Sequence, residues 1–225
     1  SLQIVFNHSW ALLNAIERTT LARLSCFRSH FSAAAARAVT GASADVLHTL
    51  LNHALLRRYA GSRYGLHPVL REYAGEKLDQ AESTYHLHAG WFLRRMADRS
   101  SLFSTLEAAA VIALIDETLD DIRRAWQWAI DNRHAAWLDL SLDGLAAYYE
   151  HKGLYHEGRD ALTAAATAVQ ETGDATLTGR LWLAEAAFRL KLGEREESLR
   201  LAETVCSVAD EATLTAALLL LGRVH

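Results

Sequence analysis

Apolar residues recur at helical spacing from the start of the chain. Leu2, Val5, Phe6, Leu12 and Leu13 form one stripe with Ser1 as a cap, and Leu21, Leu24 and Phe27 predict a second helix that gives way at the polar turn Arg28-Ser29-His30. Ser32 caps a third helix that runs to Val39 and stops at Gly41. A fourth, capped by Ser43 or Asp45, sets Val46, Leu47, Leu50, Leu51 and Ala54 on one face. The period then changes. Residues 55–59 and 64–67 flank Ala60-Gly61-Ser62-Arg63, a hairpin signal with glycine at the turn, and Pro68 suits the first turn of a helix over 69–78. Helices followed by a β-wing and another helix predict a winged-helix-like unit over residues 1–80.

Beyond Gln80 the pattern is helix after helix, predicted over 82–98, 104–114, 116–131 and 134–151 with short loops between them. The segment from Ala146 to Gly158 is echoed from Ala186 to Ser198, and the turn glycines Gly153 and Gly193 lie 40 residues apart, close to the repeat length of helix-pair solenoids. Each glycine precedes a second amphipathic helix, with Leu162, Ala165, Ala166 and Val169 in one and Leu199, Ala202, Val205 and Cys206 in the other. Residues 212–225 read as the first helix of a further repeat, so the array is expected to be truncated at its C-terminus and cut from a longer protein. The fold class is therefore mostly α: the winged-helix-like unit with its small hairpin, then a tetratricopeptide-like antiparallel helical array over 81–225.

Composition supports this reading. The 225 residues are 51% hydrophobic and 22% charged with a single proline, so helices can run without interruption. Two cysteines, Cys26 and Cys206, form no CxxC pair and signal neither a disulfide framework nor a zinc knuckle, which fits a reduced, cytoplasmic protein. No leader pattern opens the chain and no apolar run approaches the ~20 residues of a membrane span, so neither secretion nor a membrane partner is expected. Charge is uneven: residues 1–80 carry 9 Lys/Arg against 5 Asp/Glu, or +4, and the rest 14 against 22, or −8.

The segments Ser1 to Leu13, Leu21 to Arg28, Leu55 to Arg58 and Leu66-His67-Pro68-Val69-Leu70-Arg71-Glu72-Tyr73-Ala74 resemble, in order and spacing, the winged-helix segment of bacterial NB-ARC-type STAND ATPases, many of them transcriptional regulators. Asp120-Asp121-Ile122-Arg123-Arg124-Ala125-Trp126-Gln127-Trp128-Ala129 resembles the helix that opens their tetratricopeptide-like sensor region. The resemblance implies a nucleotide-binding module before the winged helix, which closes over ADP, and a helical array that senses a protein, peptide or small-molecule effector. It makes that N-terminal nucleotide-binding domain a partner of this segment, with ADP or ATP as ligand of the full-length protein and no cofactor in this chain. His67 aligns with the histidine of the family's Met-His-Asp motif, which approaches the β-phosphate of ADP; Leu66 and Pro68 stand where the family has Met and Asp.

The chain itself contains no G-x-x-x-x-G-K-[ST]: its lysines are Lys77, Lys152 and Lys191, and none follows a glycine-rich loop, so the chain alone is not expected to be an enzyme. A winged helix also raises DNA binding. The helix that would enter the groove, Asp45 to Ala54, offers no Lys or Arg, which leaves Arg57, Arg58 and Arg63 of the wing as candidate phosphate contacts and makes DNA the weaker partner. The histidine spacings, two apart at His86/His88 and five apart at His48/His53 and His151/His156, do not align ligands on a helix face, so no metal is expected. Aromatic residues concentrate in the array; most are expected in its core, and Trp128, Tyr148, Tyr149, Tyr155 and Trp182 are the candidates for a ligand or partner surface on its concave face. A tetratricopeptide-type scaffold with a structural winged-helix cap is the alternative to the sensor reading.

Overall fold

A computed structural model of the chain describes residues 2–208 together with residues 215, 217–219 and 222. The Ser1 cap and, but for those five positions, the helix expected over 212–225 lie outside the described residues. Contacts group the chain into two compact units, residues 1–92 with 113–128 and residues 93–112 with 129–225.

The first unit begins with α1 (Leu2–Leu12) and α2 (Ala15–Leu24). The second helix starts earlier than its apolar residues suggest because Asn14 and Glu17 form a capping box, each side chain accepting from the other's backbone N–H at 3.0 and 2.8 Å. After the turn at residues 28–30 come a two-residue strand β1 (Phe31–Ser32), α3 (Ala33–Thr40) and α4 (Ala44–Asn52), the last two capped by Ser32 and Ser43 as their sequence predicts. The hairpin strands β2 (Arg57–Tyr59) and β3 (Arg63–Gly65) follow. All pairing is antiparallel in the order β1-β3-β2, with Phe31 opposite Tyr64 and Arg58 opposite the same residue on the other side. Strand β1 is absent from the sequence reading because two residues show no alternation.

Leu21, Leu24, Phe27, Phe31, Val39, Leu50, Leu70 and Ala74 form the buried interior of this unit, with the Phe27 and Phe31 rings stacked at 4.4 Å. Pro68 opens α5 (Pro68–Gly75), which ends three residues earlier than expected. Next come α6 (Ala81–Arg99), α7 (Ala108–Asp116) and α8 (Leu119–Asp131). A 3-10 turn over Ser100–Ser104 displaces the start of α7 from the expected residue 104.

The second unit is a mostly antiparallel helical array: α9 (Ala135–Lys152), α10 (Tyr155–Gln170), α11 (Ala175–Lys191) and α12 (Arg195–Val208). Its repeat holds at the level of single backbone bonds. Gly153 and Gly193 both take the left-handed conformation, at φ 66° and 82°, and both are followed by the same closing bond, Leu154 N–H to the Tyr149 carbonyl and Glu194 N–H to the Arg189 carbonyl, each 2.9 Å. Small residues bring the helices close. A Cβ on Gly144 would collide with the Met96 carbonyl oxygen and lie 2.9 Å from its carbon, and one on Gly158 would lie 2.8 Å from the Phe188 ring.

Candidate functional site

His67 is the N-cap of α5. Its Nδ1 accepts from the Val69 N–H at 3.3 Å, so the neutral ring carries its proton on Nε2 and has one donor left for an outside acceptor. The side chain is exposed, whereas Leu66 before it is buried. The position that the resemblance assigns to a phosphate contact is therefore a fixed, accessible hydrogen-bond donor.

Next to this junction lies a buried polar clamp that the sequence reading did not single out. Asp121 on α8 is fully buried and accepts three hydrogen bonds: from the Arg28 N–H at 2.7 Å and the Ser29 N–H at 2.8 Å, and from His88 Nε2 on α6 at 2.9 Å. A buried carboxylate is tolerated only when its lone pairs are so occupied. The carbonyls of the same turn are held from the opposite direction, since Arg71 Nη1 on α5 donates to those of Phe27 and Arg28 at 3.5 and 3.1 Å. The sequence did hold a signal for this clamp. Asp121 precedes Ile122 and stands four residues before Ala125, so it falls within the stripe that Ile122, Ala125, Trp126 and Ala129 bury, where a carboxylate needs a partner.

Burial lowers the Arg28 guanidinium from its ordinary range, and the neighbouring charges of Arg124 and Arg71 add to that. Arg124 lies over the Tyr85 ring at 4.6 Å. Burial, reinforced by the Asp121 charge, pushes the Cys26 thiol far above its usual value, so Cys26 is packed as an apolar group and not poised as a nucleophile. A cavity of about 560 Å³ opens beside the turn, with Arg28, Tyr59, Leu66, Pro68, Arg71 and Arg123 among its lining.

The structure divides the wing arginines. Arg57 and Arg58 are exposed, with Arg58 over the Tyr64 ring at 5.8 Å. Arg63 is engaged internally, paired with Glu117 at 2.5 Å and donating to the His30 carbonyl at 2.9 Å, so it is a structural cation and not a spare phosphate contact. The exposed positions of α4 include Asp45, His48 and Asn52.

The five aromatic candidates separate as well. Tyr148 and Tyr149 are 0% and 3% exposed and belong to the interior of the array, which removes them from any binding surface; the Tyr149 hydroxyl donates to Glu157 at 3.0 Å. Tyr155 is half-buried against Phe188, Trp182 is half-buried, and Trp128 stands edge-on to His86 at 5.5 Å. Trp128 belongs to the first unit and the other two to the second, so they do not form one patch within either. Among the described residues no three His, Cys, Asp or Glu side chains gather as a metal site, and no helix is long and apolar enough to cross a membrane.

No family model matches the chain, and no curated protein matches it. Among solved structures, it is similar to a Signal Transduction ATPase with Numerous Domains (STAND) protein with a tetratricopeptide repeat sensor from Pyrococcus horikoshii, at 17% identity and a TM-score of 0.44 over 92% of this chain. The chain spans 34% of that protein's length.

Proposed function

We propose that this chain is the regulatory and sensor segment of a STAND-type signal-transduction ATPase, a transcriptional regulator in which the helical array binds an effector and a winged helix relays that state to a nucleotide-binding core. The order helix, strand, helix, helix, hairpin in the first unit supports the winged-helix part of this reading.

One observation carries the relay. The turn at residues 27–29 is gripped through its N–H groups by Asp121, on the helix that resembles the start of a sensor region. Its carbonyls are gripped by Arg71, on the helix that His67 caps. A displacement of α8 therefore reaches the His67 junction through one rigid turn and one helix. An effector acts through this path only if it binds the two positions of α8 with different affinity.

The test is ADP binding by the full-length protein and its variants. His67→Ala should weaken ADP retention about tenfold, the value of one charge-assisted hydrogen bond. Asp121→Asn should leave ADP bound but abolish its release by effector. A gene sequence upstream of Ser1 without a phosphate-binding loop, or ADP affinity indifferent to His67, would sink the reading and favour the scaffold.

A further inference from the structure

A second cavity, of about 330 Å³, opens between α1, α2 and the residues that follow α5, with Trp10, Arg18, Arg23, Lys77, Asp79 and Gln80 in its lining. None of its three cations is paired with a carboxylate among the described residues. Arg18 donates from Nε and Nη2 to the carbonyls of Trp10 and Ala11 at 3.0 and 2.9 Å, which caps α1 and leaves its second terminal nitrogen uncommitted. Arg23 donates to the Thr40 carbonyl at 3.4 Å and to the Gln80 side chain, and its buried Nε has no acceptor. The Lys77 ammonium stands 5.3 Å from the centre of the Tyr73 ring.

Carbonyls, an amide and a ring hold these groups in place without cancelling their charge. Asp79 is the one acid in the lining, so three cations and one anion leave a formal +2 on the wall. Neutral hydrogen bonds fix the donors at no gain in compensation, and like charges gathered in a concave site attract a counter-anion.

We propose that this cavity binds a small phosphate monoester. A monoester carries about −1.5 to −2 at neutral pH, which matches the wall, and presents three acceptor oxygens to the Arg18 and Lys77 donors; a carboxylate would bring half that charge. The volume lies near the lower end of ligand cavities, about 300–1,000 Å³, and limits the organic part to a small one. The half-buried Trp10, edge-on to Tyr73 at 5.8 Å, supplies an apolar wall for it. His67 is not in the lining, so the site is separate from the nucleotide contact proposed above.

Calorimetric titration of this chain with glycerol 3-phosphate and, separately, inorganic phosphate tests the assignment, with acetate at equal ionic strength as the control. Saturable binding of glycerol 3-phosphate, tighter than inorganic phosphate and lost with acetate, is expected. Lys77→Gln, an exposed change that spares every hydrogen bond named above, should weaken it about tenfold while circular dichroism stays unchanged. Absence of saturation, equal affinity in Lys77→Gln, or a monoester bound no better than the free ion would each overturn the proposal.

Discussion

Each of the two units is stabilised internally by a different means. In the first, a fully buried carboxylate joins residues 93 positions apart in the chain, through the backbone N–H groups of Arg28 and Ser29 beside the buried Phe27 ring. In the second, what lets helices approach is the absence of a side chain, at Gly144 of α9 against the Met96 backbone of α6 and at Gly158 of α10 against the Phe188 ring of α11. A polar clamp fixes one geometry and fails when any partner is removed. A repeat of small-residue contacts distributes its stability over successive interfaces.

Asp121→Ala tests the first half of this contrast most severely. It leaves two part-buried N–H groups and a buried imidazole without their acceptor, and should cost about 3 kcal/mol in urea unfolding. Amide exchange should quicken at Arg28 and Ser29 while α10 and α11 keep their protection. Equal loss of protection in the array would break the contrast. Gly144→Ala is the counterpart. Helix propensity gains about 1 kcal/mol, but the new methyl meets a backbone carbonyl that cannot turn aside, an overpacking cost of about 3 kcal/mol, for a net loss near 2 kcal/mol confined to the array. A stabilised Gly144→Ala variant would show that the close approach is not required. The smallest effect belongs to Arg180→Ala. Arg180 pairs with Asp139 and with Asp143, the latter at 3.0 Å, yet all three are substantially exposed, so unfolding should shift by no more than about 0.5 kcal/mol and less still in high salt.

The turns of the array's helix pairs were legible in sequence. Gly153 and Gly193 marked two helix ends because a left-handed cap is a local requirement met by one residue type, and the offset between them carried the repeat. Ser32, Ser43 and Pro68 marked three helix starts for equally local reasons. Where the local signal was read too narrowly, the boundary moved: Asn14 and Glu17 began α2 ahead of its apolar residues, and the 3-10 turn before α7 left no pattern to read. The site was far less legible. The sequence left Tyr148 and Tyr149 open between core and binding surface, and both are core, because an aromatic ring on an amphipathic helix says nothing of which neighbour covers it. Arg63 was a candidate phosphate contact of the wing, and Glu117, 54 residues on, pairs with it, a partner that no local pattern announces.

By itself the sequence determined the helical class, the caps, the hairpin and the repeat of the array, all of which depend on contacts within a few residues or on the period of apolar positions. Tertiary structure alone decided that Asp121 closes on the Arg28-Ser29 turn, that two residues at Phe31 become a strand, and that Arg18, Arg23 and Lys77 share one cavity. The reason is physical: a helix or a cap is stabilised where it is written, whereas a buried charge or a cation cluster takes its energy from groups that only folding brings within reach.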